Sequence, residues 1–252
     1  MAHWYNKKGD CVYTVPYADA SKGMRDTTMG DARKLKLVPS VTTIIGQLDK
    51  PAVTQWRINN ILEECYITNI QDTLDGVEYK KEVLKHVKKR EEMAPKLGSK
   101  VHDELEQWYK SGANDQLNER IAPTVFTVRE QIGKVDYIPE VSFAHSLGFG
   151  GKVDLHWKAE SKQHLGIVLD FKTKDTLDRK KMKGYSEHIM QLAAYRHGLG
   201  VDYAECFNVF ISTQDFNIIE VVQYKESELE RHWEMFKCLL KYWQLSNKFG
   251  VY

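Results

Sequence analysis

Between residues 137 and 224 the apolar positions recur with a period of two, the spacing of strands. Over 137–146, Val141 and Phe143 fall on one side and Glu140 and Ser142 on the other. Over 149–157, Val153, Leu155 and Trp157 alternate with Lys152, Asp154 and His156, and Gly148, Gly150 and Gly151 mark the bend between these two segments. A third strand, led in by Gln163-His164, covers 165–174 and opens as a continuous apolar run, the mark of a strand buried on both faces. Residues 204–213 and 217–224 read as a hairpin across Gln214-Asp215-Phe216.

Elsewhere the period is that of helices. Ser40 is placed to N-cap a short helix on which Val41, Ile44, Ile45 and Leu48 share a face, and Gly46 loosens its end. Pro51 opens the next helix, with Val53, Trp56 and Ile61 as its expected buried side. A charged helix is expected over 77–93. Pro95 starts another through Tyr109, with Val101, Leu105 and Trp108 as its apolar stripe, His102 beside that stripe, and Gly112 at its end. Further helices are expected over 123–133, 184–199 and 227–247, the last with Leu229, Trp233, Phe236, Leu240 and Trp243 on one side. Residues 1–37 follow neither period; a hairpin fits around Gly9-Asp10, and 26–36 reads as a polar loop.

Composition narrows the class. The 252 residues suffice for one large domain, or for a core domain with a helical addition, and 42% hydrophobic with 28% charged residues is ordinary for a globular protein. No apolar run approaches the roughly 20 residues of a membrane span. The N-terminus lacks the apolar core of a signal peptide, so a cytoplasmic location is expected. Cys11, Cys65, Cys206 and Cys238 stand singly, which speaks against a zinc ribbon and for buried free thiols. A net charge of +1 leaves any nucleic-acid surface to local patches. Lys80, Lys81, Lys85, Lys88, Lys89 and Arg90 read first as a solvated helix face, with a phosphate-contact patch as the alternative; Arg179, Lys180, Lys181 and Lys183 give a basic loop.

The chemistry gathers at the end of the third strand. In Asp170-Phe171-Lys172, alternation turns Phe171 to the core and sets Asp170 and Lys172 side by side. A carboxylate there can hold a divalent cation, and a lysine can steady an attacking hydroxide. A plain surface ion pair is the ordinary alternative. Glu140, Asp154 and Asp170 each sit opposite the apolar face of their strands, so a meander brings all three to one side of the sheet. Clustered carboxylates repel one another and await a cation. Oxygen donors without cysteine, with the carbonyl of Phe171 as a further ligand, favour Mg²⁺ or Mn²⁺ over zinc. His102, half-buried beside its stripe, is read as a structural hydrogen-bonder.

Five motifs in order carry a resemblance. Glu140, Gly151-Lys152-Val153-Asp154, Asp170-Phe171-Lys172 and Gln191-Leu192-Ala193-Ala194-Tyr195 resemble the successive motifs of the PD-(D/E)XK nuclease superfamily, and Gly98-x-x-x-His102 upstream is similar to the extra histidine motif of its RecB-type branch. Within it the RecB-type branch is the nearest likeness. The Pro39–Ile44 segment is similar to the N-terminal motif of phage exonucleases and the mitochondrial genome maintenance exonuclease. The resemblance implies an α/β, restriction-endonuclease-like core: a mixed central sheet in αβββαβ order, preceded by a helical region. It implies Asp154 and Asp170 as main metal ligands, Glu140 and His102 completing the site, and Lys172 activating the water. Gln191 and Tyr195, four apart on a helix, would line the site with Tyr185 and His188 near the same stripe; core packing is the alternative for Tyr195. No iron–sulfur cluster is expected, because only Cys206 and Cys238 lie downstream of the core motifs.

The expected division is an N-terminal and helical region over 1–115 and a nuclease core over 116–252, together one compact unit. The expected activity is Mg²⁺-dependent exonucleolytic hydrolysis of DNA, Mn²⁺ substituting, by a phage-encoded enzyme of recombination, replication or repair. An endonuclease or junction resolvase of the same fold, or a non-cleaving nucleic-acid-binding module, are the alternatives. DNA is the expected partner, held through Ser40, Thr42, Thr43, Lys174, Arg179, Lys180, Lys181, Lys183 and Tyr185, with replication or recombination proteins beside it and no membrane.

Overall fold

A computed structural model describes residues 3–67, 75–112, 116–159 and 165–250; the lead-in Gln163-His164 lies outside them. The chain opens with β1 (Trp4–Tyr5), β2 (Thr14–Pro16), β3 (Met24–Asp26), α1 (Met29–Leu35), β4 (Val38–Pro39) and α2 (Val41–Ile45). Then come α3 (Pro51–Ile67), α4 (Gly76–Lys110) and α5 (Ala122–Gln131). The remaining elements are β5 (Ile138–His145), β6 (Phe149–Trp157), β7 (Ile167–Lys174), α6 (Ser186–Gly198), β8 (Glu205–Ser212), β9 (Ile219–Gln223) and α7 (Glu226–Ser246). Among the described residues no helix is long and apolar enough to cross a membrane.

Five strands form one mixed sheet in the order β5-β6-β7-β8-β9, so the chain is mixed α/β. The first three make an antiparallel meander, β8 lies parallel to β7, and β9 returns antiparallel. The parallel step needs a crossover, and α6 supplies it. Strand β7 is buried over Ile167–Phe171 and β8 over Cys206–Ser212, which is why both read as mostly apolar runs, interrupted by Asp170 and Asn208. Helix α6 packs on β6, β7 and β8, and α2 and α7 pack on α6. Arg196 of α6, 1% exposed, forms a two-pronged pair with Glu226 at the start of α7, at 2.6 and 2.9 Å. The glycine pair of β6 permits close packing. A methyl group on Gly151 would lie 2.8 Å from the Phe143 ring and 2.9 Å from that of Tyr195.

Packing divides the chain into Met1–Gln47 with His102–Tyr252, and Leu48–Val101. A boundary near residue 115 is therefore not where the packing divides. The N-terminal elements join the sheet's unit because β1 pairs with β4, Ser40 bridges to Gly150, and α2 packs on α6 and α7.

Several local expectations are corrected. Residues 26–36 are not all loop: Thr28 and Asp31 form a capping box that starts α1, with Arg25 clamping Asp31 at 2.6 and 2.9 Å. Pro95 does not begin a helix; α4 runs through it. Val53 and Trp56 are exposed rather than buried. The buried side of α3 carries Asn60 and Glu64 instead, and Glu64 takes His86 at 2.7 Å and Arg90 at 2.9 Å from α4. That interface is ionic, so an apolar stripe does not mark it. Of the four free cysteines only Cys206 is buried; Cys11 and Cys238 are exposed.

Candidate active site

The ladder between β6 and β7 ends at the pair Leu155↔Leu169. Asp154 and Asp170 are the next residue on each strand, at the point where the two strands part. Parting leaves backbone groups without ladder partners, and a carboxylate takes one of them: the Phe171 amide donates to Asp154 Oδ2 at 2.8 Å. His102 of α4 stands on the same oxygen, Nδ1 at 3.4 Å, with its ring edge-on to Phe171 at 6.2 Å. Asp154 Oδ1 has no hydrogen-bond partner among the described residues.

Asp170 is 3% exposed and held from three sides. Lys172 Nζ lies 2.6 Å from Oδ2. Gln191 of α6 donates to Oδ1 at 3.0 Å and to the Tyr195 hydroxyl at 2.8 Å. Asn208 of β8, in register with Asp170, donates to Oδ2 at 2.9 Å and to the Asp170 backbone carbonyl at 3.2 Å. The Tyr224 hydroxyl donates in turn to the Asn208 side-chain oxygen at 2.9 Å. Asn208 and Tyr224 are not among the residues expected from sequence. The one signal for Asn208 was an amide inside the apolar run of β8, where a buried polar group must have partners.

The electrostatics separate the two acids. Burial pushes the Asp170 carboxyl up to about 6; the Lys172 charge opposes this and the Asp154 charge adds to it. Burial also acts upward on Asp154, but the hydrogen bond and charge of His102, with Lys172 and the Phe171 amide, outweigh it and hold that carboxyl below its usual value. His102 moves the opposite way: burial disfavours its protonation, while Asp154 and then Asp170 outweigh burial and raise its pKa. Burial raises the Tyr195 phenol far beyond its ordinary range, so it stays a neutral hydrogen-bonding group.

Glu140 is drawn into a different pairing. The pairs Pro139↔Leu155 and Val141↔Val153 bracket it opposite Asp154, but its backbone is left-handed at φ 57° and its carboxylate contacts the Lys152 ammonium. Among the described residues no three His, Cys, Asp or Glu side chains are gathered closely enough to hold a metal ion. Mg²⁺ keeps several waters and takes one or two carboxylates, so the pair Asp154 and Asp170 fits it without a third side chain.

The residues expected to meet DNA divide in two. Lys174 is an anchor: its Nζ donates to the carbonyls of Lys181 at 3.1 Å and Lys183 at 2.9 Å, and lies over the rings of Tyr185 and Phe210 at 4.4 and 4.8 Å. Arg179 is tied to β9 through the Ile219 carbonyl at 2.9 Å and Glu220 at 3.4 Å. With Met182 buried beneath, this leaves Lys180, Lys181 and Lys183 exposed on a loop fixed at both ends. The Ser40 hydroxyl caps α2, accepting from the Thr43 amide at 3.0 Å and sharing hydrogen bonds with both threonine hydroxyls; Thr42 is exposed and Thr43 half-buried. In the unit Leu48–Val101, Lys80, Lys81, Lys85, Lys88 and Lys89 are exposed on α4, while Arg90 is held by Glu63 and Glu64.

No family model and no curated protein sequence matches the chain. Among solved structures it is similar to a protein called SSO0001, at 15% identity over 75% of this chain and 86% of that one, with a TM-score of 0.33. It is also similar to an alkaline exonuclease, LHK-Exo of Laribacter hongkongensis, at 13% identity over 54% of this chain and 78% of that one, TM-score 0.31. The same exonuclease in complex with dAMP gives 15% identity over 59% and 84%, TM-score 0.29. At TM-scores this low these likenesses say nothing about the chemistry of this chain.

Proposed function

We propose that this chain is a divalent-metal-dependent deoxyribonuclease of the PD-(D/E)XK kind. The observation that carries the proposal is the pair Asp154 and Asp170, set where β6 and β7 part, with Lys172 at 2.6 Å from Asp170. The order helix, three antiparallel strands, helix, parallel strand from α5 to β8 supports it, being the order of the restriction-endonuclease-like core. Through Pro39–Ile44 the reading extends to exonucleases of the phage type, acting in recombination, replication or repair.

Asp154, Asp170 and the Phe171 carbonyl would hold Mg²⁺ or Mn²⁺, which when bound supplies Lewis-acid polarisation of a phosphodiester and acidifies water. The chain's own groups do the rest. Asn208 and Gln191 fix the plane of the Asp170 carboxylate. His102 and the Phe171 amide hold Asp154 Oδ2 and leave Oδ1 open. Lys172 orients the attacking water and offsets charge that develops on the phosphate. Lys180, Lys181 and Lys183 meet the phosphate backbone, Lys174 and Arg179 keeping their loop in place.

End-labelled linear DNA tests the proposal, with Mg²⁺ or EDTA, using the wild type, Asp170→Ala and Lys172→Ala. Each variant is expected to lose about 10²–10³-fold or more in cleavage rate, the usual loss for an electrostatic group at the reacting centre. Covalently closed circles should resist the enzyme; cutting them would move the reading to an endonuclease. Near wild-type cleavage by either variant would show that the site lies elsewhere.

A further inference from the structure

Away from the acid pair, the ends of α1 and α7 enclose a cavity of about 350 Å³. Ala32, Leu37, Val38 and Phe249 make its walls apolar. Its rim carries Lys7, Arg33, Lys36 and Lys248, and among the described residues no carboxylate lines it. In a chain of net charge +1 this is a concentrated patch of one sign. Arg33 is partly committed, donating to the Asn247 carbonyl at 2.7 Å and lying 5.9 Å from the centre of the Phe249 ring.

Cations past the ends of two helices have an ordinary explanation, since they complement the helix dipoles. That accounts for their sign but not for their backbone. Lys36 and Lys248 follow α1 and α7 in left-handed conformation, φ 54° and 48°. Glycine takes this position by default, because any side chain there is strained. Among the described residues only one other non-glycine residue has a positive φ, and it is Glu140 beside the acid pair. Two lysines are thus kept, against local preference, on one cavity.

We propose that this cavity docks the acidic tail of a partner protein. One apolar side chain of the tail enters between Leu37, Val38 and Phe249, and its carboxylates meet Lys7, Lys36 and Lys248. An apolar anchor in a pocket with a charged rim is the common plan of such interfaces. Nucleic acid fits less well. Phe249 is 8% exposed and packed against Trp4 at 5.4 Å and Trp243 at 5.3 Å, so it offers no open face for a base to stack on. The proposal does not rest on the nuclease reading.

Fluorescence anisotropy of a labelled peptide, Glu-Asp-Asp-Ile-Leu-Phe with a free C-terminus, tests it on the full chain. The controls are the same peptide with Gln-Asn-Asn in place of its acids, and a short oligothymidylate. The acidic peptide is expected to bind, less tightly as salt rises, and the neutral one to bind more weakly. The double variant Lys36→Gly with Lys248→Gly removes two charges and the backbone strain together. It should melt no lower than wild type yet bind the peptide about 2- to 30-fold more weakly, the range for two exposed charge pairs. Absent binding, equal binding of the neutral peptide, or unchanged affinity in the variant would leave these lysines as helix-end cations and overturn the proposal. Oligothymidylate binding that the variant loses would overturn it too, in favour of a nucleic-acid track.

Discussion

Two buried carboxylates, Asp170 in the sheet and Glu64 on α3, are 3% and 5% exposed, yet their surroundings are built on opposite plans. Glu64 faces two basic side chains, His86 at 2.7 Å and Arg90 at 2.9 Å, which reach it from α4 and tie two helices together. Asp170 has one cation, Lys172, two neutral amides, and a second carboxylate, Asp154, whose charge adds to the burial that raises its pKa to about 6. A buried acid answered by basic side chains of a neighbouring helix serves the fold. A buried acid set beside another acid and held rigidly by neutral donors is unfavourable by itself, and such arrangements are characteristic of sites that take up a cation.

The two sites are expected to respond differently to substitution. Asn208→Ala removes the amide that fixes Asp170 while leaving Asp170, Asp154 and Lys172 in the chain. Loss of a partner that orients a metal ligand typically costs 10–100-fold, and about that loss is expected in Mn²⁺ affinity or cleavage rate. A folded Asn208→Ala protein with wild-type metal affinity and rate would place Asn208 among purely structural amides. Glu64→Gln should do the reverse. Its partners are themselves half-exposed, so they regain water when the charge is lost, and about 1–2 kcal/mol of stability is expected to go. Cleavage at saturating DNA should be unchanged, as thermal unfolding and a rate assay run in parallel would show.

The same contrast explains what could be read from the sequence. The strands were legible because β6 alternates and β7 and β8 are mostly apolar. Asp170 and Lys172 stood out because their charges interrupt an apolar strand, and Asp154 because it falls on the polar face of the strand before. The α3–α4 contact was illegible because its buried groups are Asn60 and Glu64; the apolar residues that suggested a core, Val53 and Trp56, are exposed. Helix α1 was hidden because its start is a side-chain device, Thr28 with Asp31, in a charged stretch. Lys174 and Arg179 were read as DNA contacts because sequence counts charges, and only the fold shows that they donate hydrogen bonds to backbone carbonyls. Asn208 was missed because its role depends on the parallel register that sets it beside Asp170.

The most direct measurement is equilibrium binding of Mn²⁺, followed by electron paramagnetic resonance, to the wild type, Asp154→Asn, Asp170→Asn and Lys172→Ala. The acid pair as a cation site predicts saturable binding to the wild type, loss of at least about tenfold in affinity in each aspartate variant, and retained binding in Lys172→Ala. Wild-type affinity in both aspartate variants, or no saturable binding to the wild type, would contradict it.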